Sequence, residues 1–251
     1  EKSGLKMEVI RHGKYKSAVE PFLAQEMSPE NREQMTVLLN SVWNTSVADI
    51  SKSRKLSVAQ LNAIANTLGA RTPELALANK LVDKVAYEDE YHDMIRAKLK
   101  VDKKEKYDIV SITDYAKKAS STVEDYSEND IIAVIYAQGE IAGGEDDVNV
   151  IGEGSIKRSL QEAREDKDVK AIVLRVNSPG GSALTSELIW REIEITKKVK
   201  PVVVSMGNYA ASGGYYIVAN ADSIFVEPNT ITGSIGVFGM LPNMNQFGKK
   251  I

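Results

Sequence analysis

The sequence predicts an α/β fold in which a parallel sheet carries helices on its outside, and three observations support that reading. Short β-branched runs recur at Ile131 to Ala137, Val169 to Val176 and Pro201 to Ser205. Helical patterns at about 153 to 166 and 183 to 198 separate them. Successive parallel strands must be joined by long crossovers, and this alternation supplies them.

The elements before the sheet follow from local signals. Met7-Glu8-Val9-Ile10-Arg11-His12 reads as a strand that starts abruptly near the first residue and is broken by Gly13. From Ala18 to about Leu99 the pattern is helical. Ser28-Pro29 and Thr72-Pro73 each pair an N-cap with proline at the first helical position, and Ser57-Val58-Ala59-Gln60 is a capping box. Residues 98 to 106 are strongly charged and 117 to 130 are rich in Ser, Asp and Glu, which predicts a connection between units. The expected organisation is therefore a mostly helical region over 1–106, a connection over 107–130 and an α/β region over 131–251. The closing Gln246-Phe247-Gly248-Lys249-Lys250-Ile251 offers no sheet-closing element, so the sequence reads as a piece cut from a longer chain.

Composition narrows the chemistry. Hydrophobic residues at 43%, charged residues at 27% and a net charge of −3 are ordinary globular values and give no electrostatic case for a nucleic-acid partner. The absence of cysteine excludes a thiol nucleophile, a disulfide frame and a thiolate zinc site. No apolar run approaches the roughly 18 residues of a membrane span, and the opening Glu1-Lys2-Ser3-Gly4 is not a signal peptide, so the piece is expected to be soluble. Only two histidines occur. His92 lies in Glu88-Asp89-Glu90-Tyr91-His92-Asp93, which reads as a solvated helix face, and His12, four positions before Lys16, reads as a surface residue at a strand end, with a place in the same site as the alternative. A Ser-His-Asp triad is therefore not expected.

Two small-residue turns follow buried strands at the end where open α/β sheets place their ligands. In Asn177-Ser178-Pro179-Gly180-Gly181-Ser182, paired glycines let the backbone present N–H groups to an oxygen bearing developing negative charge; a plain Pro-Gly turn is the alternative. In Ala210-Ala211-Ser212-Gly213-Gly214-Tyr215, Ser212 stands at the start of a helix, where its hydroxyl is either an N-cap or a nucleophile beside the Gly213 N–H. A serine nucleophile needs a base, and with histidine unpromising a desolvated lysine is the natural one. A free lysine, with a pKa of about 10.4, is only about 0.04% neutral at pH 7, so such a site must depress the pKa by roughly 3 units, or about 4 kcal/mol. Burial is required, and composition does not say which lysine has it. Ser3-Gly4-Leu5-Lys6 matches Ser-x-x-Lys but lacks the companion motifs of penicillin-binding enzymes.

Four segments in fixed order carry a resemblance. They are Tyr15-Lys16-Ser17-Ala18-Val19-Glu20-Pro21-Phe22, the stretch from Ala171 to Ser182, Ala210-Ala211-Ser212-Gly213-Gly214-Tyr215, and Thr232-Gly233-Ser234-Ile235-Gly236-Val237-Phe238-Gly239. Together they resemble the signal peptide peptidase A family in its long bacterial form, which is built from two related domains. The resemblance implies a fold similar to the Clp protease and crotonase superfamily, with 1–106 ending one domain and 131–251 beginning the next. It puts the family's nucleophile on Ser212 and its lysine base on Lys16, with the Gly213 N–H and either Gly180 or Gly181 as the oxyanion hole. A neighbour such as the Ser17 or Tyr15 hydroxyl could orient the amine. Also implied are peptide substrates, signal peptides among them, a homo-oligomer, an anchor outside this chain that holds the protein at the inner membrane facing the periplasm or cell exterior, and no metal or organic cofactor. Two other readings remain at this stage, a crotonase-like enzyme acting on acyl thioesters and an inert assembly segment.

Overall fold

A computed structural model of the chain describes residues 6–102, 105–120, 130–145, 147 and 149–245. The expectations that fall on 1–5, 121–129 and 246–251 lie outside these residues. In chain order the elements are β1 (Lys6–Arg11), α1 (Glu20–Leu23), α2 (Pro29–Arg54), α3 (Val58–Asn66), α4 (Pro73–Ala78), α5 (Glu88–Leu99), α6 (Ile112–Ser120), β2 (Ile131–Gln138), β3 (Glu140–Ala142), β4 (Val150–Gly152), α7 (Glu153–Glu165), β5 (Val169–Ser178), α8 (Ala183–Lys197), β6 (Val202–Ala211), α9 (Gly213–Tyr216), β7 (Ser223–Phe225), β8 (Ile231–Gly233) and β9 (Phe238–Asn243). They divide into two compact units, one of residues 6–43 with 130–245 and one of residues 44–120.

The second unit is helical among its described residues, and α3 and α4 start where the sequence marks them. Ser57 and Gln60 form the reciprocal capping box of α3, the Gln60 N–H donating to Ser57 Oγ at 3.2 Å and the Ser57 N–H to Gln60 Oε1 at 2.9 Å. Thr72 caps α4, with Pro73 at its first position. The charged stretch expected to be a solvated face is α5, in which His92 is half-buried: its Nδ1 meets the Tyr107 hydroxyl and its Nε2 lies 3.6 Å from Glu88.

The first unit is an α/β layer. Its main sheet has the order β2-β5-β6-β7, with β8 also pairing β6, and every pairing is parallel. One face is sealed by helices: Ile135, Leu174, Val176, Val204 and Met206 are buried in a cluster with Ile156 and Leu160 of α7 and Ile189 and Ile193 of α8. The two helices are tied together by Arg164, whose Nη1 meets Glu192 Oε1 and donates to Thr196 Oγ1 at 2.9 Å. Glu192 is itself buried. Arg164→Ala would leave that carboxylate buried without its cation, which costs about 3–5 kcal/mol. The expected result is a large drop in the denaturant midpoint in chemical unfolding; an unchanged midpoint would mean that the pair contributes nothing.

Strand β6 runs six residues beyond Ser205, where the sequence reading ends it. Its pairing with β5 is interrupted: Val176 faces Met206 and Ser178 faces Ala210, so three residues of β6 lie opposite the single Asn177. This bulge carries β6 on to Ala211, beside β8. A two-stranded antiparallel ribbon, absent from the sequence expectations, joins β1 to β9, with Lys6 opposite Asn243 and Arg11 opposite Phe238.

Candidate active site

Ser212 follows the last residue of β6 and precedes α9. Its backbone has φ 53° and ψ −120°, a conformation that L residues rarely adopt and that costs about 1–3 kcal/mol. Flanking hydrogen bonds hold it there. The Ser212 N–H donates to the Gly233 carbonyl at 2.8 Å, and the Ser212 carbonyl accepts from Tyr215 and Tyr216 at 3.1 and 2.9 Å. Its side chain makes no capping bond to α9, so the hydroxyl is left for another partner.

That partner is Lys16, whose Nζ lies 3.0 Å from Ser212 Oγ. The ribbon explains how residues 196 positions apart meet. β1 delivers the chain to Arg11 beside Phe238, and the turn that follows lays Lys16 against the loop between β8 and β9. Gly236 permits the close approach: it has φ +133°, and a Cβ there would sit 3.3 Å from Lys16 Cβ. Lys16 is buried at 6% exposure, it forms no ion pair among the described residues, and burial alone holds its amine below the usual lysine pKa.

The amine has a second anchor that the sequence reading missed. Lys16 Nζ lies 2.6 Å from the Ser234 carbonyl oxygen and 3.2 Å from Ser234 Oγ. The hydroxyls expected to orient it are engaged elsewhere, Tyr15 donating to Glu33 at 2.8 Å and Ser17 accepting from Gln34 at 2.9 Å. Ser234 lies within a quoted motif, but only a β8 that pairs with β6 brings it to the amine, and three residues in 231–233 carry no strand signal of their own. Behind Lys16, Arg11 donates to its carbonyl at 3.3 Å and lies 4.0 Å from the buried Glu20. Glu20 also accepts from Asn31 at 2.8 Å, and its carboxyl is held below the usual range first by the Ser28 hydroxyl. His12, by contrast, is exposed.

The glycine turn lies beside this pair. The Gly180 N–H is occupied, donating to Ser178 Oγ at 3.1 Å. Its carbonyl accepts from Ile141 at 2.9 Å, and the Ser182 N–H donates to the Ile141 carbonyl at 2.8 Å, so the N–H of Gly181 between them points to the opposite side. The glycine backbones are in close contact: a Cβ on Gly180 would come 2.6 Å from Gly213 N, and one on Gly213 would come 3.2 Å from Gly181 N. Of the two glycines left open by the sequence, Gly181 is thus the one whose N–H has no partner among the described residues, next to that of Gly213. Ser212 and both these glycines line a cleft of about 570 Å³ whose other walls include Tyr215, Ile235, Val237 and Phe238. An attacking oxygen, a buried amine and two neighbouring backbone N–H groups beside an apolar cleft can together carry out acyl transfer. Among the described residues no cluster of His, Asp or Glu could hold a metal ion, and no helix is long and apolar enough to cross a membrane.

The family model for peptidase family S49 matches residues 1–102 and 194–251. Protease 4 of Haemophilus influenzae is 38% identical over 97% of this chain and 41% of its own length. The chloroplastic serine protease SPPA of Arabidopsis thaliana is 35% identical over 94% of this chain and 36% of its own. Both relatives are therefore more than twice the length this chain spans. Among solved structures, a ClpP1 mutant from Listeria monocytogenes is similar over 39% of this chain and 50% of its own, at 19% identity and a TM-score of 0.31.

Proposed function

Since the chain belongs to peptidase family S49, we propose that it carries a serine peptidase site in which Ser212 is the nucleophile, Lys16 the general base, and the N–H groups of Gly213 and Gly181 the oxyanion hole. The 3.0 Å approach of a buried lysine amine to a serine hydroxyl that caps nothing is the observation that carries the reading. Neutral Lys16 takes the Ser212 proton as Oγ attacks the peptide carbonyl carbon, and the negative oxygen is received by the two N–H groups. Collapse breaks the C–N bond, with the Lys16 ammonium giving its proton to the leaving amine. Water then attacks the acyl ester while Lys16 takes its proton, and the acid is released with Ser212 restored.

The substrates we infer are peptides with apolar side chains, remnant signal peptides among them, because the cleft walls are largely apolar. The whole protein would act as a homo-oligomer anchored to the inner membrane, with its site on the periplasmic or extracellular side. To the same reading belong residues 1–106 as the end of one domain, 107–130 as a connection and 131–251 as the start of a related one. A serine-directed fluorophosphonate probe tests the chemistry: covalent capture at Ser212 is expected, whereas labelling nowhere would overturn the reading in favour of thioester chemistry. Ser234→Ala removes one of the amine's two contacts with Ser234 and keeps the carbonyl, so turnover should fall about tenfold, the worth of one hydrogen bond. Wild-type turnover in that variant would show that the carbonyl alone holds the amine.

A further inference from the structure

The sequence places Asn177 at the head of the glycine turn, but neither the dyad nor the oxyanion hole uses it. Its position is unusual. Opposite it, β6 inserts the bulge of Gly207, Asn208 and Tyr209 before pairing resumes at Ala210. A bulge leaves ladder N–H groups without strand partners. Here one side-chain atom takes two of them: Asn177 Oδ1 accepts from Asn208 N–H at 3.0 Å and from Tyr209 N–H at 3.1 Å. Gly207 makes room for it, since a Cβ there would come 2.9 Å from Asn177 Oδ1 and 3.0 Å from Asn177 Cβ. On its other edge the bulge is tied to the β8 side, with Thr230 donating to the Gly207 carbonyl at 2.8 Å and Thr232 to the Ala210 carbonyl at 2.7 Å.

We propose that Asn177 is a positioning residue for the nucleophile: its amide oxygen stands in for a strand carbonyl, holds the β6 bulge closed, and so fixes where Ser212 meets Lys16. The three residues after Tyr209 are Ala210, Ala211 and Ser212, so the bulge sets both the reach and the register with which Ser212 arrives at Gly233. The same residue heads the turn that carries Gly181, and one side chain thereby couples the nucleophile strand to the oxyanion loop. The inference rests on the serine peptidase reading given above.

The acceptor oxygen is the working part, which makes the test specific. In the full-length protein, Asn177→Ala should lower kcat and the rate of fluorophosphonate capture about 100-fold, the cost of misplacing a reacting group by about 1 Å, with KM little changed. Asn177→Asp supplies an oxygen at the same reach and should restore most of that loss, whereas Asn177→Leu, of similar size with no acceptor, should not. Restoration by Leu, no restoration by Asp, or full turnover in Asn177→Ala would each overturn the proposal. Hydrogen exchange on the unmodified protein gives an independent reading should a variant not fold. The Asn208 and Tyr209 amides belong to exposed residues, yet they should exchange slowly, and fast exchange would also overturn it. Failure of the peptidase reading itself looks different: the unmodified protein would then show no capture at Ser212 at all, while the two amides stay protected.

Discussion

Ser212→Ala should reduce peptide hydrolysis by on the order of 10⁴-fold or more and abolish fluorophosphonate labelling, with the unfolding transition almost unmoved. The size follows from the chemistry, because without Oγ no acyl-enzyme forms and only binding and the oxyanion donors remain. The small effect on stability follows from the geometry. The hydroxyl caps no helix, and the bonds that fix the residue run through its backbone N–H and carbonyl, which alanine keeps. Measured side by side, turnover, labelling and denaturant midpoint distinguish a nucleophile from a structural serine. A variant that still labels, or that unfolds, would show that Ser212 is not the nucleophile.

Lys16 should set the pH profile. Activity is expected to rise with pH along a single ionisation whose midpoint lies well below that of free lysine, since only the neutral amine accepts the serine proton and burial favours that form. Lys16→Arg should be almost as inactive as Lys16→Ala, both by on the order of 10⁴-fold, because guanidinium stays protonated at any working pH. The same burial has a sign for stability. Between the depressed folded-state pKa and the unfolded value of about 10.4, the unfolded chain binds more protons at this site, so stability rises as pH rises through that window. Lys16→Met should therefore unfold at a higher denaturant concentration than the unmodified protein near neutral pH, and the gain should vanish above the window. Near-normal turnover in Lys16→Arg with an unchanged profile would make Lys16 a positioning charge and send the search for a base to His12 first.

What could be read in the sequence was what neighbouring residues encode. The crossover units appear as strands and helices near their expected bounds because each carries its own periodicity, Val169–Ser178 in a β-branched run and Ala183–Lys197 in a helical pattern. Capping at Ser57 and Thr72 was equally local. What escaped was pairing at a distance. Strand β9 reads Phe-Gly-Met-Leu-Pro-Asn, in which glycine and proline obscure a strand, and it is one because β1 lies alongside it. Ser234 was overlooked for the same reason, as was the length of β6, whose last residues stay extended only because a bulge, Asn177 and β8 hold them. The choice between Gly180 and Gly181 depended on one buried hydroxyl, Ser178 Oγ, whose direction no motif specifies.

The ribbon of β1 with β9 also sets a timetable. A ribosome makes Lys16 before Ser212, and the ribbon that brings the two together cannot form until residues 238–243 have emerged to pair with 6–11. The loop bearing Ser234, whose carbonyl meets the amine, is made just before β9. A nascent chain that stops short of β9 thus carries Lys16 and Ser212 without the ribbon that brings them together. On the proposed reading, the long span between the paired strands would act as a catch that keeps nucleophile and base apart until β9 is made.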